Sequence, residues 1–278
     1  MSPEVSTEIE QVAEHATGER SLGDVILHHV SDSNTLEFPP LGEIHLPQLE
    51  LFGIDISITK HVVMMWVAAL LLIVGLALMG RRRRRVPKGL SAILEMFVVF
   101  IRDEIAVKNI GKEGIRHVPY LLTTFFFILI CNLLGLIPWG STPTGNLMVT
   151  AALAIVAFLA IQAAGVQQFG FLGYLRSLVP QGVPPGIREF ILGIEFIGML
   201  TKPFALCMRL FANMLAGHIV ILALLGLIFV FKSYFVVPVS IGLALFIYML
   251  EIFVAFLQAY IFTMLTAVFI GMTRHPAH

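Results

Sequence analysis

The chain has 278 residues, of which 58% are hydrophobic and only 13% are charged, and its mean hydropathy is +0.90. These values exclude an ordinary soluble domain and predict a polytopic helical membrane protein. The formal net charge is zero, but eleven of the 18 acidic residues lie among the first 60 residues, so the two ends of the chain face different environments. Cys131 and Cys207 stand in apolar runs that indicate neither a disulfide framework nor a metal site.

Residues 1–60 show no sustained apolar period and contain prolines among acidic side chains. We interpret this range as an external acidic tail that enters the membrane near Lys60, and we assign it no specific role. Its histidines show no recurring ligand spacing, so we predict no metal site in it. Its polar, acidic start differs from secretory signals and transit peptides, which favours synthesis beside the chain's own membrane, as in a bacterium or from an organelle genome.

The range 62–80 carries no charged residue and is long enough to span a bilayer of ~30 Å at 1.5 Å per residue. An unbroken run of arginines, 81–85, follows it, and short basic loops stay on the cytoplasmic side. We therefore predict that this first span runs from outside to inside. The arginines are interpreted as an anchor to anionic lipid headgroups rather than as a patch that binds nucleic acid.

The range 88–110 is apolar but is interrupted by charged residues. Glu95 and Arg102 are seven residues apart and so share one helix face. This pattern favours an amphipathic helix that lies along the inner membrane surface. Lys112 and Arg116 in the linker that follows also indicate the inner side.

Two further apolar ranges, 118–139 and 147–167, are joined by an uncharged connector. They predict two spans that meet at an external loop. Asn132 and Gln162 lie inside these spans, and we interpret both amides as groups that join neighbouring helices by hydrogen bonds.

The last two apolar ranges, 189–231 and 238–273, are too long for a perpendicular helix, because about 43 residues of helix measure roughly 65 Å. The first of them either breaks at Pro203 or tilts by roughly 60° from the bilayer normal. Two successive overlong ranges favour a strongly tilted antiparallel hairpin, in which the numbers of facing residues have a nearly constant sum. Three polar pairs meet this condition: Arg209 with Gln258, His218 with Glu251, and Glu195 with Arg274.

Four polar residues of the range 189–231 share one helix face at ~100° per residue: Glu195, Lys202, Arg209 and Asn213. An arginine in the hydrocarbon layer costs ~2.5 to 3.5 kcal/mol and therefore requires a partner or a function. His218 lies about 180° away from Arg209 around the helix and so addresses a different environment. Glu251 and Gln258 are seven residues apart and share a face of the last helix.

Arg209 stays protonated even when it is buried, so it attracts a carboxylate but carries no proton itself. No acidic residue of this chain stands level with it in the hairpin, because Glu251 is about 10 Å further along and Glu195 about 21 Å away in the other direction. We therefore predict that its charge partner belongs to another subunit. His218 and Glu251 form a titratable pair at the external end, and Glu195 supplies a titratable group toward the internal end.

The stretch TKPFALCMRLFANMLAGH, together with LQAYIFTMLT on the last helix and CNLLGLIP earlier, closely resembles subunit a of the F-type ATP synthase over roughly residues 45–274. The resemblance implies a non-catalytic, ion-conducting stator that faces the carboxylates of a rotating c-ring. It implies that Arg209 meets these carboxylates and prevents a short circuit, and that Gln258 lies beside Arg209.

The same resemblance implies two offset aqueous half-channels that pass protons to and from the ring. The external one would be lined by Asn213, His218 and Glu251, and the internal one by Glu195. The implied partners are the c-subunit ring, the peripheral-stalk b subunits, the other ATP synthase subunits and membrane lipid. No cofactor, metal or nucleic acid is expected.

Taken together, these patterns predict an all-α polytopic membrane protein whose single integral membrane domain covers residues 61–274. We predict four membrane-spanning segments plus the inner-surface amphipathic helix, with the last two spans forming the tilted hairpin. The N-terminus would lie outside a bacterial inner membrane, and residues 275–278 would be cytoplasmic. Two alternatives stay open, a self-contained secondary transporter or proton antiporter, and a purely structural role for the polar groups.

Overall fold

The computed structural model describes residues 35–38, 42–45, 47, 50–51, 54–55, 57–81, 89–137, 142–177, 186–231 and 234–274. Most of the acidic tail, the arginines that follow Arg81 and residues 275–278 lie outside this part of the chain. The predictions made for those ranges therefore stay predictions.

Two short antiparallel hairpins occupy the end of the acidic tail, outside the predicted integral membrane domain of residues 61–274. Strand β1 (Thr35–Phe38) pairs with β2 (Gly42–His45), and β3 (Glu50–Leu51) pairs with β4 (Ile54–Asp55). Polar and apolar residues alternate along β1 and β2, which suits a strand. Each run is too short to stand out as a period, and this is why sequence analysis missed both hairpins.

From Lys60 onward the described elements are helical, as predicted. The α-helices are α1 (Lys60–Arg81), α2 (Leu90–Phe100), α3 (Lys108–Ile110), α4 (Val118–Gly135), α5 (Leu147–Ser177), α6 (Ile187–Phe231) and α7 (Val236–Arg274). Five described helices are long and apolar enough to span a membrane, and these are all of the α-helices except α2 and α3. The predicted count of four spans is not confirmed, because each of the five apolar ranges forms a helix of sufficient length.

The range predicted as an amphipathic surface helix forms one helical run from Leu90 to Ile110. Helix α2 continues into a π-helical segment, Ile101–Val107, and then into α3. Ile101 and Ile105 are buried in the core on one side of this run. On the other side, Arg102 bonds Asp103 at 2.7 Å and lowers the pKa of that carboxyl group. The run is amphipathic, and its location at the inner membrane surface stays a prediction.

Helix α5 continues ten residues beyond the predicted span of 147–167, and it changes direction at Gly170. The backbone of Gly170 has φ 69° and ψ 167°, a conformation that only glycine adopts readily. The residues from Phe171 to Ser177 therefore run away from the axis of the first part of α5. This bend brings Tyr174 back over its own helix, as described below.

Helices α6 and α7 are the longest elements and pack against each other. Helix α6 has 45 residues and measures about 68 Å, and α7 has 39 residues and measures about 59 Å. Pro203 lies inside α6 without ending it, so the chain does not break there.

A group of aromatic rings packs α2 against α4 and α7. The ring centroid of Phe97 lies 5.6 Å from that of Phe125 and 6.3 Å from that of Phe256, and Phe125 in turn contacts Phe126. Such ring pairs add to the free energy of apolar packing, by ~0.5 to 1.5 kcal/mol each. The result is a rigid support on which α7 presents its polar residues.

Candidate functional site

A buried histidine–carboxylate pair joins α6 to α7. His218 Nδ1 lies 2.8 Å from Glu251 Oε1, and the two side chains are 19% and 3% exposed. This contact confirms one of the three register pairs predicted from the sequence. The second carboxylate oxygen, Glu251 Oε2, is buried and has no hydrogen-bond partner among the described residues. The pair can therefore share or exchange a proton in a site with little competing water.

Thr142 is a third member of this cluster, and sequence analysis did not identify it. It lies between α4 and α5, is buried, and its Oγ1 is 2.5 Å from His218 Nε2. Both ring nitrogens of His218 are thus engaged, one by a hydroxyl and one by a carboxylate. A hydroxyl both donates and accepts, so Thr142 suits either tautomer of the imidazole.

Two glycines allow the cluster to close. A Cβ atom on Gly217 would lie 2.6 Å from Glu251 Oε1, and one on Gly135 would lie 1.8 Å from Thr142 Oγ1. Both distances are below any real van der Waals separation, so a side chain at either position would displace the polar group. The glycine that precedes His218 was the sequence signal that could have revealed this close approach.

A second set of hydrogen bonds holds the connector between α4 and α5 against α7. Asn132 Nδ2 donates to the carbonyl of Ala255 at 3.3 Å, and Thr144 donates to Asn132 Oδ1 at 2.7 Å. The predicted role of Asn132 in joining helices is confirmed. These bonds fix the connector that carries Thr142.

Arg209 lies on the opposite side of α6 from these groups. Leu206, Leu210 and Met214 form the buried side of the helix, whereas Arg209 and Asn213 are exposed on the surface of this chain. Among the described residues, none forms a hydrogen bond or an ion pair with the Arg209 guanidinium. The predicted neighbour on α7, Gln258, is buried and only 5% exposed, and its proximity to Arg209 stays a prediction.

The third register pair, Glu195 with Arg274, stays a prediction, and the bonds of Arg274 go to other residues. Arg274 instead bonds to Glu113, to Gln168 Oε1 at 2.8 Å and to His117 Nε2 at 3.2 Å. The reason is the path of the segment that follows α3, which crosses the end of α7. A Cβ atom on Gly271 would lie 2.1 Å from the carbonyl oxygen of Asn109, so α3 itself packs directly on α7, and the segment that follows α3 brings Glu113 within reach.

The remaining residues of the predicted stripe lie toward the other end of α6. Lys202 places its ammonium group 5.3 Å from the centroid of the Phe269 ring, a cation–π contact with α7. Glu195 is half-buried and lies one helical turn before Met199, whose sulfur is 3.5 Å from the hydroxyl of Tyr174 on α5. The site is therefore divided into a histidine–carboxylate cluster, an exposed arginine and a separate carboxylate.

Comparison with known proteins relates this arrangement to one family. Residues 62–271 match the family model of the ATP synthase A chain. The chain belongs to the ATP synthase A chain family. Curated relatives named ATP synthase subunit a include one from Chloroherpeton thalassium, 53% identical over 91% of this chain and 77% of the relative, and one from Myxococcus xanthus, 56% identical over 81% of this chain and 75% of the relative. A relative from Prosthecochloris aestuarii, named ATP synthase subunit a 2, is 49% identical over the whole of this chain and 87% of its own length.

Every residue predicted to act in ion translocation lies within the range that matches the ATP synthase A chain model. Arg274 and the acidic tail lie outside it. The expected family resemblance is therefore confirmed. The histidine–carboxylate cluster of His218 and Glu251 and the exposed Arg209 both belong to the part of the chain that the family shares.

Proposed function

We propose that this chain is the ion-conducting stator of a rotary ATP synthase and that it has no catalytic activity of its own. The observation that carries the proposal is that two different polar sites lie on opposite sides of α6. A buried titratable pair, His218 with Glu251, lies on one side, and an exposed guanidinium, Arg209, lies on the other. One helix thus offers proton access to the chain interior and a fixed cation to a partner.

The external half-channel would reach the His218–Glu251 pair beside Thr142. Protonation of the pair requires little rearrangement, because His218 already contacts an oxygen atom at each ring nitrogen. The unbonded oxygen, Glu251 Oε2, supplies a further position for a proton. Asn213, exposed on the side of α6 that carries Arg209, would line the path along which the proton moves toward the partner surface.

The partner of Arg209 would be a carboxylate on a ring of c-subunits. Small residues surround Arg209 on the exposed face of α6, namely Ala205, Ala212 and Ala216. Small side chains let a neighbouring helix approach closely in a membrane. A protonated carboxyl group that reaches Arg209 would release its proton to water in a half-channel, because the guanidinium stabilises the ionised form. Gln258 would supply a neutral hydrogen-bonding group at the same level.

Arg209 would also prevent a short circuit between the two sides. Its guanidinium does not deprotonate, so a proton cannot pass through it from the His218 side to the Glu195 side. Protons must instead travel on the moving carboxylates of the ring. Each charge moved across the membrane is worth ~2.3 kcal/mol per 100 mV, and this energy is available for rotation only if direct leakage is blocked.

The lengths of α6 and α7 support a strongly tilted antiparallel hairpin. A helix of about 68 Å fits a hydrocarbon layer of ~30 Å only at roughly 60° from the membrane normal. Such a tilt lets one helix run beside several helices of a ring.

We further infer the location and the partners of the chain. The acidic tail would lie outside, the C-terminus would be cytoplasmic, and the membrane would be a bacterial inner membrane. Peripheral-stalk b subunits would bind this chain within the complex.

The proposal is tested by Arg209→Ala in vesicles that contain the complete ATP synthase. We expect ATP-driven proton pumping to be abolished while the complex still assembles and passive proton leakage rises. Lys202→Ala is the matched control, because it removes a cation from the same stripe, two turns away, and should retain coupled pumping. Full coupling in Arg209→Ala would contradict the stator proposal. Solute transport by the purified chain alone would favour the transporter alternative.

A further inference from the structure

Tyr174 is folded back onto its own helix by the bend at Gly170. Its side chain is buried, and its ring lies directly over Gly165. A Cβ atom on Gly165 would lie 2.6 Å from the Tyr174 ring and 2.5 Å from Thr273 on α7. Gly165 therefore provides the space in which a tyrosine of α5 reaches the region between α5, α6 and α7.

The hydroxyl group of Tyr174 forms part of a small polar group between α5 and α6. It donates to Gln162 Oε1 at 2.6 Å, and the sulfur of Met199 on α6 lies 3.5 Å from the same hydroxyl. The Gln162 amide nitrogen lies 3.8 Å from this sulfur. The prediction that Gln162 joins helices is thus confirmed only through a weak sulfur contact, while its strong bond is to Tyr174.

This polar group lies next to Glu195. Met199 follows Glu195 by four residues, so the two side chains are neighbours on one face of α6, about 6 Å apart along the axis. The Tyr174 hydroxyl and the Gln162 amide both contact the sulfur of Met199, so both lie about one turn of α6 from Glu195. Burying a phenol and an amide among apolar helices requires compensation by hydrogen bonds, and here the two groups bond each other one helical turn from the carboxylate proposed for internal proton access.

We propose that Tyr174 and Gln162 are positioning residues of the internal half-channel. They form its α5 side and keep two hydrogen-bonding groups beside the Glu195 carboxylate, so that a proton or a water molecule is passed to it from the cytoplasmic side. The bond between them orients the Gln162 amide, and Gly165 and Gly170 allow the tyrosine to reach it. This inference rests on the stator function proposed above.

The other described charged groups near this end of α6 have partners, and Glu189, the other carboxyl group of this end, accepts a bond from the backbone N–H of Gly186 at 3.1 Å. Arg274 on α7 bonds Glu113 and Gln168, and Lys202 on α6 itself stacks over Phe269. Glu195 is therefore the carboxyl group of α6 whose proton exchange Tyr174 is placed to influence.

The test measures ATP-driven proton pumping by the complete ATP synthase in vesicles while the pH is varied on one side at a time. Tyr174→Phe removes only the hydroxyl group, and we expect pumping to fall roughly threefold to tenfold, the effect of one net hydrogen bond. The loss should be largest at high cytoplasmic pH, where proton uptake through the internal half-channel limits the rate. It should not depend on the pH of the opposite side.

Tyr260→Phe is the matched control. Tyr260 packs against the Phe100 ring, and its hydroxyl has no hydrogen-bond partner among the described residues. Should the Tyr174→Phe complex not assemble, Gln162→Leu carries the same expectation. In a Glu195→Gln background, Tyr174→Phe should have little further effect, because the two groups act on one path.

Three results would overturn the inference: equal pumping in Tyr174→Phe and Tyr260→Phe at every pH, a uniform loss independent of cytoplasmic pH, or additive effects with Glu195→Gln. The Arg209→Ala experiment stands apart from all three. Retained coupling there would refute the stator function itself, whereas abolished coupling with a normal Tyr174→Phe would refute only the role of Tyr174.

Discussion

Gly217→Ala adds one methyl group between α6 and α7 and thereby tests the His218–Glu251 pair directly. The new Cβ atom would lie 2.6 Å from Glu251 Oε1 and 2.9 Å from Glu251 Cδ. These atoms form the end of a flexible side chain, so the carboxylate can move while the two backbones stay in place. To reach ordinary van der Waals separation it must move by roughly 1 Å.

That displacement would break the bond between the two residues. His218 Nδ1 and Glu251 Oε1 are now 2.8 Å apart, and a shift of roughly 1 Å away from the imidazole would lengthen this distance beyond the range of a hydrogen bond. A hydrogen bond to a charged group contributes ~1.5 to 3 kcal/mol, which corresponds to roughly a tenfold to hundredfold change in an equilibrium or a rate. We expect proton pumping by the complete complex to decrease by an amount in this range.

The assay is ATP-driven acidification of vesicles that contain equal amounts of assembled complex. Gly75→Ala on α1 is the control, because no atom lies within 4 Å of the added Cβ and pumping should be unchanged. In a Glu251→Gln background, Gly217→Ala should lose most of its effect, since the charged bond is already absent. Normal pumping in Gly217→Ala would show that the contact does not serve proton uptake.

Two further substitutions test the surroundings of the site. Thr142→Val keeps the shape of the side chain but leaves His218 Nε2 without its hydroxyl partner, and pumping should fall by roughly threefold to tenfold. An unchanged dependence of pumping on external pH would contradict this role for Thr142. Arg274→Ala removes the bonds to Gln168, His117 and the largely exposed Glu113. It should lower the free energy of unfolding of the chain in detergent by about 1 to 2 kcal/mol. Pumping per assembled complex should not change. An unaltered unfolding temperature would mean that these bonds contribute nothing.

The polar residues of α6 were found from sequence because helical geometry is regular. Residues seven apart share a face whatever surrounds the helix, so the separation of Arg209 from His218 followed from numbering alone. The pairing of His218 with Glu251 was predictable for a related reason. When two long neighbouring helices run antiparallel, the numbers of facing residues have a nearly constant sum, so one facing pair predicts the others. The same argument did not find the bonding partners of Arg274, because it considered only α6 and α7 and omitted the segment after α3 that carries Glu113.

The sequence by itself determined that this chain is a helical membrane protein, where its apolar helices lie and which face of α6 carries the arginine. Composition and period decide these features, and both are local properties of the chain. Only the tertiary structure decided that Thr142 completes the histidine cluster, that Gly217 and Gly135 leave room for it, and that Tyr174 turns back over Gly165 to bond Gln162. Each of these contacts joins residues from different helices or from both sides of a bend, and their distances depend on how closely backbones approach, which no local pattern of residues encodes.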